Sequence, residues 1–324
     1  AGDADAHFRA SSVSVYIPSG IGAGYDAYGR LASRHLGRFL PGNPVMVPKN
    51  MTGAGGVVAA NYLYNVAPKD GSAIALFMAG APFEPLFGNT QAKFDPLKFN
   101  WLISLNRLVN IAIFWHESPV RTPADFFKDQ VLIGSSGGGD SSTEVYARLL
   151  NNLVGTKFKI ITGYTGNGEV MLAMERREVW GIVGTELSSL RATRPDWIRD
   201  GKVRIVAQIG LTNSSDIPDV PQALDLIKDG DGRRIFDILL ARQEHGRPFA
   251  LPPGTPPDIV ATFRQAFAAM AKDPAFLADA NNMRADIVAA TGDEVAGLLA
   301  RTYASPRALV ERASAEFKKA AGGN

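Results

Sequence analysis

Val13-Ser14-Val15-Tyr16-Ile17-Pro18-Ser19-Gly20-Ile21-Gly22-Ala23-Gly24-Tyr25-Asp26 decides how the chain is read. Four of the five residues Val13–Ile17 are β-branched or aromatic and the run ends at Pro18, so Val13–Ile17 is a strand. A glycine-rich turn follows, and Asp26 is placed to cap a helix running to about Leu40, where Pro41-Gly42-Asn43-Pro44 stops it. Strand, loop and helix then recur. Val45–Val47 is a strand, Thr52–Gly56 a turn, Val57–Val66 a helix, and Ile74–Met78 a strand. This alternation predicts an α/β fold with mainly parallel sheets flanked by helices.

The same unit restarts after Asn106. Ile111–Trp115, Val131–Ile133, Phe158–Ile161, Val179–Val183 and Val203–Ile209 read as strands. Ser142–Leu153, Val170–Arg177 and Leu187–Arg191 read as helices between them. After the Pro248–Leu251 strand, the proline-rich turn from Pro252 to Pro257 opens a helical tail: Asp258–Ala271, Pro274–Ala280, Asp293–Tyr303 and Pro306–Lys318. Two lobes follow, with 1–107 in the first, 108–245 in the second, and 246–324 returning to the first. The crossings fall near Asn106–Leu108 and Gly246–Pro248.

Composition removes several function classes. The 324 residues carry 34 Lys plus Arg against 32 Asp plus Glu, a net charge of +2, so nucleic acid is not an expected partner. Hydrophobic residues at 46% and charged residues at 20% describe a globular chain. There is no cysteine, which removes thiol catalysis, disulfides and thiolate metal sites. His7, His35, His116 and His245 have no metal-site spacing, so neither metal nor cofactor is expected. No apolar run reaches the length of a membrane span.

Three glycine-rich loops follow strands and precede helices, where open α/β sheets bind ligands. The first is Ser19, Gly20, Ile21, Gly22, Ala23, Gly24, Tyr25 and Asp26. The second is Ser135, Ser136, Gly137, Gly138 and Gly139. The third is Gly163, Tyr164, Thr165, Gly166 and Asn167. Met78 and Ala79, Thr185 and Glu186 stand at further strand ends. Helix N-termini and hydroxyls in such loops suit carboxylate or phosphate oxygens without a formal cation. Glu186 either accepts from a ligand or caps the next helix. Tyr25 and Tyr164 either line a pocket or cover a lobe surface. Glu175–Glu178 reads as a solvated helix end, and Trp101, Trp115, Trp180 and Trp197 as core.

Two enzyme readings compete. Gly22-Ala23-Gly24-Tyr25-Asp26-Ala27 matches a dinucleotide fingerprint, but Pro48-Lys49-Asn50 lacks the acid that would hold a ribose. Gly134-Ser135-Ser136-Gly137-Gly138 matches a nucleophile elbow around Ser136, with only His245 downstream as base.

Tyr16–Gly20 with Gly22–Asp26, Pro48–Gly56, Ala67–Gly71, Gly163–Gly166 and Leu251–Pro256, in this order, resemble the substrate-binding receptors of tripartite tricarboxylate transporters, the Bug receptors. The resemblance implies a two-lobed, type II-like periplasmic binding protein with a hinge, closing on a small organic acid. It implies backbone N–H groups, hydroxyls and bridging water as ligand contacts. It also implies a monomer with its signal peptide removed, membrane transporter subunits as partners, and a dicarboxylate or aromatic carboxylate as ligand. A periplasmic sensor of the same fold is the alternative. Tyr25 departs from the resemblance, since the family often has a small residue or threonine there.

Overall fold

The computed structural model describes residues 12–128, 130–136 and 142–322. Its strands are β1 (Val13–Ile17), β2 (Met46–Asn50), β3 (Ala73–Leu76), β4 (Asn100–Ser104), β5 (Asn110–Trp115), β6 (Val131–Ser136), β7 (Phe158–Tyr164), β8 (Gly181–Glu186), β9 (Val203–Ile209), β10 (Pro248–Leu251) and β11 (Ala290–Thr291). They form a six-stranded sheet ordered β11-β4-β10-β3-β1-β2 and a five-stranded sheet ordered β7-β6-β8-β5-β9.

The chain divides into two compact units. The first comprises 1–107 and 242–304, the second 108–241 and 305–324. The sequence reading carried the second lobe to 245 and returned everything beyond it to the first. The structure instead groups 305–324 with the second unit, because the helix Arg307–Ala320 packs against the helix Ser142–Val154.

In the first unit β1 runs parallel to β2 and β3, so the ends of these strands at Ile17, Asn50 and Leu76 lie on one edge. β10 enters antiparallel between β3 and β4, and β11 closes the edge antiparallel to β4. The sheets are therefore mixed where local periodicity predicted mainly parallel pairing. Residue alternation sets which face a strand buries, but not the direction of the strand beside it. Val13, Val15, Leu31, Ile74, Phe249, Phe263 and Phe267 share one core, each at most 1% exposed. Truncating any one of these phenylalanines to alanine costs about 3–5 kcal/mol by the cavity it leaves.

In the second unit β6 runs parallel to both β7 and β8, which again gathers three strand ends on one edge. β5 is antiparallel to β8 and β9. Trp115 packs edge-on against the fully buried Trp197 beneath this sheet. No described helix is long and apolar enough to cross a membrane.

Candidate functional site

The first loop is exposed on top and tied down from beneath. Gly20 to Gly24 are exposed, and Ile21 reaches 81%. Gly22 has φ +85°, a conformation glycine takes without penalty. The helix begins at Gly24 with Ala23 at its N-cap position. Asp26 is therefore in the first turn, and the expectation that it caps the helix is corrected. Its side chain, 4% exposed, turns back under the loop instead. Asp26 Oδ2 accepts from Gly22 N–H at 2.9 Å, and Arg30 Nε donates to both oxygens at 2.9 and 3.0 Å. Asn50 Nδ2 donates to Asp26 Oδ1 at 2.8 Å and to the Ser19 carbonyl at 2.7 Å. Burial pushes the Asp26 carboxyl up. The hydrogen bonds from Asn50, Gly22 and Arg30 and the Arg30 charge outweigh that and hold it below the usual carboxylate range. Asp26 is an internal tie whose lone pairs are committed, so the loop offers its backbone rather than this carboxylate.

Asn50 stands where the dinucleotide pattern calls for an acid. Register places it beside Ile17 at the end of β2. Its amide is committed to Asp26, Ser19 and Arg30.

Tyr25 is half-buried against the first core. Its hydroxyl accepts from Ala79 N–H at 2.9 Å, which joins the first loop to the Met78-Ala79 segment after β3. The Arg247 guanidinium lies over the Tyr25 ring at 4.1 Å and over Tyr28 at 4.9 Å. This cation was absent from the sequence reading, which built the site from dipoles and hydroxyls alone.

In the second unit the ends of β6, β7 and β8 bring together Ser135, Ser136, Thr143, Asn167 and Thr185. Ser136 Oγ donates to Asn167 Oδ1, and Ser136 N–H donates to Thr143 Oγ1 at 3.1 Å. Asn167 Nδ2 reaches Thr185 Oγ1 at 3.4 Å. Ser135, Thr143 and Thr185 are buried, so the cluster is neutral, polar and largely self-satisfied. Among the described residues the Ser136 hydroxyl meets the Asn167 amide and the Thr143 hydroxyl. Gly137, Gly138 and Gly139 lie outside the described residues.

Asn167 opens the helix Asn167–Glu175, with Gly166 at its N-cap position, and Thr165 N–H is held by Glu169 at 2.7 Å. Gly163 has φ +99°. Tyr164 is half-buried, its ring packed against the second core. Burial first, and then the Glu178 charge, raise its pKa. Glu186 occupies the N-cap position of the helix Leu187–Thr193, but its side chain makes no cap hydrogen bond. Glu175–Glu178 is a solvated helix end, where Arg176 pairs with Glu178 and Arg177 with Glu117. Arg30, Asn50, Thr143 and Arg247 were not singled out in the sequence. Only Arg30 left a local signal, four residues after Asp26 on one helix face.

Residues 30–314 match the family described as tripartite tricarboxylate transporter family receptor. Among solved structures, a solute-binding protein of that family from Polaromonas aligns at a TM-score of 0.75 and 20% identity, covering 94% of this chain and 99% of that one. MatC from Rhodopseudomonas palustris, solved with bound malate, aligns at a TM-score of 0.58 and 19% identity over 95% and 100%. A second R. palustris protein, solved with adipate, aligns at 0.57 and 18% over 96% and 97%. No curated protein matches the chain significantly.

Proposed function

The chain belongs to the tripartite tricarboxylate transporter receptor family, and we propose on that footing that it is a periplasmic receptor for a small organic carboxylate. It binds and presents its ligand to membrane subunits, and it carries out no reaction. Each unit has its own candidate partners for a carboxylate: the loop Ser19–Gly24 in the first, and the cluster Ser136, Asn167 and Thr185 in the second. The ligand is a dicarboxylate or an aromatic carboxylate, and the receptor works as a monomer. The related structures solved with malate and adipate support a carboxylate ligand.

The observation that carries this reading is the underside of the first loop. A buried carboxylate, an arginine and an asparagine fix Gly22 and the Ser19 carbonyl in place. The backbone from Gly20 to Gly24 is left facing outward, already ordered. Ordering a loop before binding removes an entropic cost from binding. Among the described residues the Ser136 hydroxyl is held by Asn167 and meets no base, which supports binding over hydrolysis.

A thermal-shift screen of mono-, di- and aromatic carboxylates tests the proposal. A true ligand at a hundred times its Kd stabilises by about 2.7 kcal/mol. A raised Tm with several such acids, saturating with concentration, is the expected outcome. A flat response across the panel would contradict it.

A further inference from the structure

Arg247 precedes β10, and its backbone N–H reaches Ser104 Oγ at 3.3 Å. Its side chain runs back beneath the first loop. A Cβ added at Gly24 would lie 3.5 Å from Arg247 Nη2, so the guanidinium sits directly against the start of the helix Gly24–His35. Nη1 donates to the Gly246 carbonyl at 2.8 Å. Nε is buried and meets no acceptor. Two other arginines of the first unit are paired with carboxylates: Arg30 with Asp26 at 2.9 Å, and Arg107 with Glu244 at 3.1 Å. Arg247 has no carboxylate within 4.0 Å among the described residues.

Arg247 is half-buried, and a charge partly withdrawn from water gains from being paired. Tyr25 and Tyr28 offer it two ring faces, and with Nη1 on the Gly246 carbonyl and Nε buried, Nη2 beside Gly24 is left for an acceptor. A carboxylate is an acceptor that matches a guanidinium N–H in charge as well as in hydrogen bonding. Tyr25 thereby gains a purpose: its hydroxyl is anchored on Ala79 while its ring carries the arginine.

We propose that Arg247 is the counter-ion of the ligand's carboxylate, which it meets beside Gly24 and Tyr25. The inference rests on the receptor function proposed above. It makes one ionised carboxylate the obligatory feature of the ligand. The rest of the molecule is left to neutral partners, so charge recognition comes from Arg247.

The test uses the full chain with malate, adipate and benzoate as probes in calorimetric titration. Arg247→Met is expected to weaken each acid that the wild type binds by about ten- to hundredfold, the range of a hydrogen bond to a charged group. Arg247→Lys keeps the charge but loses the fork, and should fall between the two. An arginine that only clamps the tyrosines would lower the Tm and leave Kd within twofold, which would overturn the inference while the receptor function stands. Binding of none of the three acids by the wild type would overturn both. Should the variants lose their cooperative melt, phenylglyoxal labelling of wild-type Arg247, read by peptide mass, decides. Labelling at least fivefold slower with saturating acid supports the assignment, and an unchanged rate refutes it.

Discussion

Replacing Asp26 by asparagine removes one charge and turns one acceptor into a donor without changing the side chain's size. In the wild type both oxygens are committed: Oδ1 to Asn50 and Arg30, Oδ2 to Gly22 and Arg30. Whichever way the new amide turns, its NH2 faces a donor. One orientation opposes Gly22 N–H, the other Asn50 Nδ2, and both oppose Arg30. A hydrogen bond to a charged group contributes about 1.5–3 kcal/mol net, and one is lost outright. The Arg30 contribution is discounted, because its side chain is 36% exposed. The sum is about 2–4 kcal/mol. At 2–4 °C per kcal/mol for a unit of this size, Tm falls by roughly 4–16 °C. The assay is scanning calorimetry of wild type and D26N from pH 3 to 8. The pH arm has a definite sign. The folded carboxyl lies below its unfolded value, so its stabilisation is complete above about pH 4 and is lost as pH falls through the lower folded value. The two proteins should therefore differ at neutral pH and converge in acid. A neutral-pH difference under about 0.5 kcal/mol would refute the picture of Asp26 as the tie beneath the loop.

Other outcomes follow from single contacts. Gly184→Ala should destabilise the second unit by more than about 1–3 kcal/mol, measured by urea unfolding, because φ is +92° and the new Cβ would lie 2.5 Å from the Ser142 carbonyl oxygen. His245 is held neutral, chiefly by burial, with its pKa lowered to about 4. Since an unfolded histidine titrates near 6.5, stability should be full above that pH and fall by roughly 2–3 kcal/mol as pH drops from 6.5 to 4. His245→Gln should flatten that part of the stability profile. Ser136→Ala removes one neutral hydrogen bond to Asn167, and should weaken ligand affinity by about 0.5–1.5 kcal/mol in calorimetric titration.

Elements with strong local signals were legible. Val13–Ile17, Val203–Ile209 and Pro248–Leu251 stand in the structure at the limits the sequence suggested, because β-branched or apolar runs are bounded there by proline or glycine. β4 was not read, since Asn100–Ser104 is a short apolar run whose partners, β10 and β11, arrive far later in the chain. The helix Gly230–Glu244 was missed because it opens with Gly230-Asp231-Gly232, local turn chemistry overridden by the burial of Ile235, Phe236 and Leu240. Strand direction was illegible for the same reason as Arg247. In the first sheet both depend on a segment that returns after the second unit, and in either sheet no local period encodes what a strand will lie against. The glycine-rich loops themselves were visible, but the ties that order them were not. Asn50 looks like a strand end, and Arg247 like a surface charge before a strand.

The most direct test of the account is calorimetric titration of the full chain with adipate and with its uncharged diamide, which share a carbon skeleton and differ at the groups the site is held to recognise. Should adipate prove not to be accepted, malate and its diamide make the same comparison. The account predicts saturable one-to-one binding of the acid and at least tenfold weaker binding of the diamide. Equal affinity for acid and diamide, or no saturable binding of either acid, would contradict it.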